Sequence, residues 1–295
     1  VLDLAHCVPI TQNIVIEPAR RDTAPVIGLG AFHVYHRDPK AILASLHSDH
    51  VILQNETFLK LLKVAEDIAA KHDVIVTLGI SPDHPATGYG YIASGKEFCK
   101  INGVEVFRVQ NFTEKPNLPT AKAFLSAGNY FWNAGMFIAR AEVLLAAYKQ
   151  HTPQTYQFLS TIAAAIGTDR EQATLEKIYP TIPKEPIDTA IMEKLNNIVV
   201  IPADIGWSDI GSWKAVKEIL PKNAETNFVF GQHVGIDTEN SLVYSSGSRL
   251  IATIGLKDMV IVESEDAILI CPVSAAEKVK ELVSMIKAEK RDSYL

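Results

Sequence analysis

The chain is poor in cysteine, short of basic residues and without a long apolar run, and each shortage removes a class of protein. Cys7, Cys99 and Cys271 are far apart, odd in number and without paired spacing. They exclude a disulfide framework or a zinc cluster and read as buried thiols of a reducing compartment, so a cytoplasmic location is expected. Lys and Arg number 28 against 34 Asp and Glu, a formal charge of −6. The basic residues are dispersed, and no nucleic-acid partner is expected. No apolar stretch approaches the roughly 20 residues that span a bilayer, so no membrane partner is expected either. No signal peptide is visible, and the chain starts at Val1 rather than Met.

A hydrophobic content of 47% is ample for a core. At this length roughly two domains are expected. Short β-branched runs alternate with helical patterns, the signature of an α/β fold with a mixed, mainly parallel sheet flanked by helices. Strands are expected at Asn13 to Glu17, Ile42 to Leu46, Val74 to Gly79, Val104 to Phe112, Trp132 to Ala139 and from Ile198. Helices are expected at Thr23 to His36, Glu56 to His72, Thr120 to Ala127, Glu142 onward in pieces to Ile178, and Asp188 to Lys194. Around Pro221 the texture changes. Six brief strands from Phe228 to Ile270 predict a small β-solenoid, so a first domain spans 1–221 and a second 222–295. Ser274 and Glu277 form a capping box before a last helix whose stripe, Val279, Leu282, Val283 and Ile286, packs on its own domain or joins a homodimer.

Polar residues gather where such a sheet binds ligands, beyond the carboxyl ends of its strands. They are Glu17-Pro18 with Arg20 to Thr23, Asp49-His50, Thr87 to Tyr91, Glu114-Lys115-Pro116 with Asn133, and Asp209. Asp209 stands between glycines and tryptophans in Gly206-Trp207-Ser208-Asp209-Ile210-Gly211-Ser212-Trp213. Each group has a plainer explanation: Asp49 can cap a segment, Glu114-Lys115 can be a solvated ion pair, and Gly88-Tyr89-Gly90 can be a turn. Their convergence suits nucleotidyl transfer, which crowds anionic phosphates together. Asp49 and Asp209 can hold Mg²⁺, which takes one or two carboxylates plus phosphate oxygens and water. Lys115 can neutralise a sugar phosphate, while Glu114 and Asn133 can hydrogen-bond sugar hydroxyls. Gly88 and Gly90 permit close backbone approach. Glu17 can accept the two adjacent donors of guanine.

Seven segments in order, Glu17-Pro18-Ala19-Arg20-Arg21-Asp22-Thr23-Ala24-Pro25, Ser48-Asp49-His50, Ala86 to Ile92, Phe112 to Pro116, Trp132 to Met136, Ile187 to Lys194 and Trp207 to Trp213, resemble the mannose-1-phosphate guanylyltransferases. The resemblance covers nearly the whole chain and is to the single-activity form. It implies a Rossmann-like nucleotidyltransferase domain carrying a short left-handed β-helix, with GTP and mannose 1-phosphate as ligands. It also implies that Asp49 and Asp209 hold Mg²⁺, with Lys115 beside them at the catalytic centre. Glu17, Pro18, Arg21, Asp22, Thr23, Ala24 and Pro25 then face the guanosine, and Gly88, Tyr89, Glu114, Lys115 and Asn133 face the sugar phosphate.

One departure stands out. The family opens with a strand and a loop of the type GGxGxRLxPLS that wraps the triphosphate, and no segment here matches it. Gly28-Leu29-Gly30-Ala31-Phe32-His33 lies within a helical pattern and reads as packing. The chain is therefore expected to begin after that loop, to leave Ile42 to Leu46 on a sheet edge, and to be inactive alone. Two other functions fit the residues: transfer to another sugar from UTP or TTP, and a binding module that retains the sugar site.

Overall fold

The computed structural model describes residues 13–219 and 227–294. In chain order these form α1 (Thr23–Arg37), β1 (Ile42–Ser45), β2 (Val51–Ile52), α2 (Asn55–Lys71), β3 (Ile75–Ile80), β4 (Tyr91–Ile101), β5 (Val104–Thr113), α3 (Leu118–Ala127) and β6 (Tyr130–Arg140). Then come α4 (Ala141–His151), α5 (Pro153–Ala163), α6 (Glu171–Ile178), α7 (Ile187–Ala190), β7 (Ile198–Ala203), β8 (Trp207–Ser208) and α8 (Trp213–Ile219). The remainder is β9 (Phe228–Phe230), β10 (Gln232–Ile236), β11 (Leu242–Ser245), β12 (Leu250–Ile254), β13 (Met259–Glu263), β14 (Ile268–Pro272) and α9 (Val279–Ala288). Two compact units result, one of residues up to Ser48 with Ile52–Trp207, the other of Asp49–Val51 with the chain from Ser208 on. The expected domain boundary at 221/222 and Cys7 lie outside the described residues. Cys99 and Cys271 are free and half-buried, and burial pushes both thiols up.

The first unit is built on a 6-stranded sheet of order β1-β6-β3-β7-β5-β4. The β3–β7 ladder is parallel, whereas β1–β6, β3–β6, β4–β5, β4–β6 and β5–β7 are antiparallel. β1, β3, β4 and β7 thus share a direction, with β5 and β6 set between them. Every residue of β3 is buried and β7 is nearly so, as continuous apolar runs in a doubly covered sheet require. One core joins α1, α4 and α5 to the sheet, and another seats Leu61, Val64, Ala65 and Ile68 of α2. Among the described residues β1 pairs only with β6 and forms a sheet edge.

Several expected elements shift. Asn13 to Glu17 is not a strand. Its alternation finds no ladder among the described residues, and Ile14 and Ile16 stay exposed. The β4 strand is not anticipated by the sequence pattern, because its register shifts between Ala93 and Cys99 spoil the alternation that marks a strand. The helix expected over Asp188 to Lys194 breaks at Ile191 into α7 and a 3₁₀ turn, Met192–Lys194. Ser274 and Glu277 fall in a 3₁₀ segment, Val273–Lys278, and α9 begins after it with Lys278 as an N-cap that makes no side-chain bond. The capping pattern marks where helical backbone starts, not how tightly it winds. In α9, Val279, Val283 and Ile286 are half-buried while Leu282 is exposed.

The second unit has the expected stacked short strands. β9, β11 and β13 form a parallel ladder closed by antiparallel β14, and β10 lies parallel to β12. Inside it Glu263 is buried, accepting from the Ser245 hydroxyl at 2.5 Å with the Arg249 guanidinium 3.4 Å away.

Candidate active site

The residues that the resemblance assigns to the sugar phosphate come together in the first unit. Asn133 owes its place to a bulge: Thr77 pairs with Phe137, but Gly79 pairs with Asn133 rather than Gly135. Such bulges re-aim side chains beside active sites. Gly79 itself tolerates no side chain, since a Cβ there would meet Phe131 and Val200 at 2.7 Å. The Asn133 N–H donates to Gly90 O at 2.8 Å, fixing the glycine loop against β6. Tyr91 braces the same loop through its hydroxyl on Ala86 O at 3.0 Å. Tyr89 packs edge-on against Trp132 and Trp207. A Cβ on Gly90 would stand 2.6 Å from Glu114 Oε2, whereas no atom lies within 4 Å of one on Gly88. A side chain at Gly90 would therefore displace the Glu114 carboxylate, whereas Gly88 is open.

Lys115 has φ 45°, a left-handed conformation that residues with a Cβ adopt at a cost. Its ammonium pairs with the Glu114 carboxylate, and that hydrogen bond is the main cause holding Lys115 above the usual lysine range. The Glu114 N–H donates to Glu193 Oε1 at 3.1 Å. Asp188, quoted in the sequence pattern but given no role there, lies in the same cluster: its Oδ1 accepts from Asn133 Nδ2 at 2.9 Å. The hint in the sequence was its presence in an ordered motif, and only folding brings it beside Asn133.

The segment assigned to the nucleotide is pinned in this same unit. Glu17 Oε2 accepts from the Tyr179 hydroxyl at 2.7 Å. Burial first, then this carboxylate, push the Tyr179 phenol well up. The Arg21 guanidinium donates to Pro180 O. Asp22, with φ 69°, caps α1 by accepting from Thr23 N at 2.9 Å, and Thr23 Oγ1 accepts from Ile187 N at 2.9 Å. Ala24 and Pro25 are buried at the start of α1. Their side chains serve the core, so Pro18 and Asp22, both exposed, and the half-buried Glu17, Arg21 and Thr23 are what the segment offers a ligand.

Asp49 and Asp209 belong to the second unit. β2 pairs with β8, and Leu53 N–H donates to Ile205 O at 3.0 Å and Gly206 O at 3.3 Å, so the two strands run oppositely. Asp49 and Asp209 therefore flank the same end of the ribbon. Ile210 has φ 46°, unusual for a β-branched residue, and Asp209 Oδ1 accepts from Gly211 N at 3.1 Å. Within the short stretch His47–His50, one ligand atom each from His47, Asp49 and His50 lies within 4.8 Å of the others, a donor set that fits a divalent cation. Asp209 is not in that cluster.

The nucleotidyl transferase family model matches residues 2–226, and the MannoseP isomerase/GMP-like beta-helix domain matches residues 231–286. Mannose-1-phosphate guanylyltransferase 2 of Escherichia coli O157:H7 is 39% identical over 97% of this chain and 60% of its own length. Mannose-1-phosphate guanylyltransferase of Escherichia coli strain K12 is 38% identical over the same shares. The chain thus spans 60% of the length of these curated relatives. A solved structure described as mannose-1-phosphate geranyltransferase from Thermus thermophilus has a TM-score of 0.80 at 29% identity, over 92% of this chain and 77% of that one. With a sheet built on the β3–β7 pair, a stacked β unit after it and a family match over most of its length, the chain belongs to the nucleotidyl transferase family.

Proposed function

We propose that the protein carrying this chain makes GDP-mannose and diphosphate from GTP and α-mannose 1-phosphate. The observation that carries this is the joining of Gly90, Glu114, Lys115 and Asn133 into one polar cluster, in a chain whose relatives bear the corresponding name. A phosphate oxygen of the sugar phosphate bonds to the α-phosphorus of GTP as the bond to diphosphate breaks in line. Lys115 leaves Glu114 to meet the sugar's phosphate, and Glu114 then accepts from sugar hydroxyls with Asn133 donating beside it. Members of the family generally use divalent metal ions. Asp49 and Asp209 would hold Mg²⁺ here, and the bound cation would offset phosphate charge. Glu17, half-buried and steadied by Tyr179, reads the base.

Calorimetric titration with GTP, UTP and TTP tests the base. GTP is expected to bind best, and Glu17→Gln to weaken it about tenfold, as befits hydrogen bonds to a charged group. Mannose 1-phosphate affinity should stay nearly unchanged. Equal weakening of both ligands would make Glu17 a structural partner of Tyr179, and equal binding of UTP would overturn the guanine preference.

A further inference from the structure

Asp188 has no part in the reaction as described, yet its carboxylate is tied into the cluster by the Asn133 carboxamide. It lies on α7, whose start is tied to α1 by the Ile187 N–H on Thr23 Oγ1. Its Oδ1 accepts from Asn133 Nδ2 at 2.9 Å, while at the other end of the same carboxamide Asn133 Oδ1 accepts from Gly135 N at 3.0 Å. An amide with its oxygen and one N–H both committed cannot flip, so its second N–H keeps one direction. The Gly135 N–H that holds the oxygen is itself part of the β6 bulge, with φ 69°. Without Asp188, one end of the carboxamide would be loose.

We propose that Asp188 is a positioning residue for the sugar phosphate, its ionised carboxylate locking the Asn133 carboxamide so that the remaining N–H serves a sugar hydroxyl. This rests on the sugar-phosphate assignment made above. The charged groups facing Asp188 among the described residues are Glu114, whose negative charge opposes ionisation, and Lys115, which favours it. Lys115 is also drawn by Glu114 and Asp22, and Glu193 takes the Glu114 N–H. Burial is the largest influence, and it pushes the carboxyl up to about 6 against the Asn133 bond. Below that pH the group becomes a weaker acceptor with an O–H of its own, and the lock loosens.

The test is calorimetric titration of mannose 1-phosphate into the wild type and Asp188→Asn between pH 5 and 8, with GTP alongside. The sugar's own phosphate titrates near pH 6, so the informative quantity is the ratio of the two proteins' affinities, in which that titration cancels. The wild type is expected to bind about tenfold tighter at pH 7.5, and the two proteins to converge at pH 5. GTP affinity should be the same in both. In an Asn133→Ala background, Asp188→Asn should cause no further loss, since the two residues act as one unit. A ratio that stays constant with pH, a matching loss for GTP, or full additivity with Asn133→Ala would overturn the proposal. If the wild type prefers glucose 1-phosphate, the substrate proposed above falls, and the same ratio measured with glucose 1-phosphate decides the role of Asp188.

Discussion

At Asp188, position and stability pull in opposite directions. Its carboxyl sits at about 6 in the folded protein against an ordinary value of 3.8, because burial and the Glu114 charge disfavour ionisation. A raised folded pKa means that the unfolded chain gives up the proton first as pH rises. The favourable contribution is present below about pH 4 and lost as pH climbs through about 6. Asp188→Asn removes the half-buried charge while keeping the shape. It is expected to raise the unfolding free energy by roughly 2–3 kcal/mol at pH 7 and to change it little at pH 4, as urea denaturation at both values would reveal. A gain of equal size at pH 4 would show that ionisation is not the cause.

Two glycines of α1 separate packing from propensity at the level of an element. A Cβ at Gly28 would stand 2.6 Å from Leu159 Cδ1 and 2.9 Å from Tyr148 Cε1, whereas one at Gly30 meets nothing within 4 Å. The Tyr148 ring cannot swing aside easily, since its hydroxyl donates to Ala24 O at 2.6 Å. Gly28→Ala is therefore expected to destabilise by about 1–3 kcal/mol through overpacking, and Gly30→Ala to stabilise by about 0.5–1 kcal/mol through helix propensity. Thermal unfolding of the two variants checks the opposite signs. The helix was readable from Thr23 onward, and Gly28 and Leu29 within it pack, as their helical setting implied, while Gly30 does not. β4 was not readable, because bulges interrupt its period, and neither was the break at Ile191.

For the whole molecule, the groups proposed to act divide between the two units. Glu114, Lys115, Asn133 and Asp188 lie in the first, whereas Asp49 and Asp209 lie in the second. None of the sugar-side groups is among the clustered metal donors His47, Asp49 and His50. In the protein carrying this chain, chelation with EDTA is therefore expected to abolish nucleotidyl transfer while leaving mannose 1-phosphate affinity within about threefold, because that site is held by its own hydrogen bonds. Asp49→Asn and Asp209→Asn should each reproduce the loss of turnover with an intact melting transition. If chelation released the sugar phosphate as well, the metal and the sugar would have to share ligands.

Most element types, the change from α/β to stacked short strands, and the residue sets around Glu114 and Asn133 were determined by the sequence alone. Such features rest on local rules: apolar period, turn chemistry and short motifs act over a few neighbouring residues. The tertiary structure decided which way those side chains face and what surrounds them. It turned Ala24 and Pro25 into core, gave the Arg21 guanidinium to the Pro180 carbonyl, used the β6 bulge to aim Asn133, and set the half-buried Asp188 against it. Orientation and desolvation depend on partners far away in the chain, 55 residues away for Asn133 and Asp188, and no local pattern encodes them.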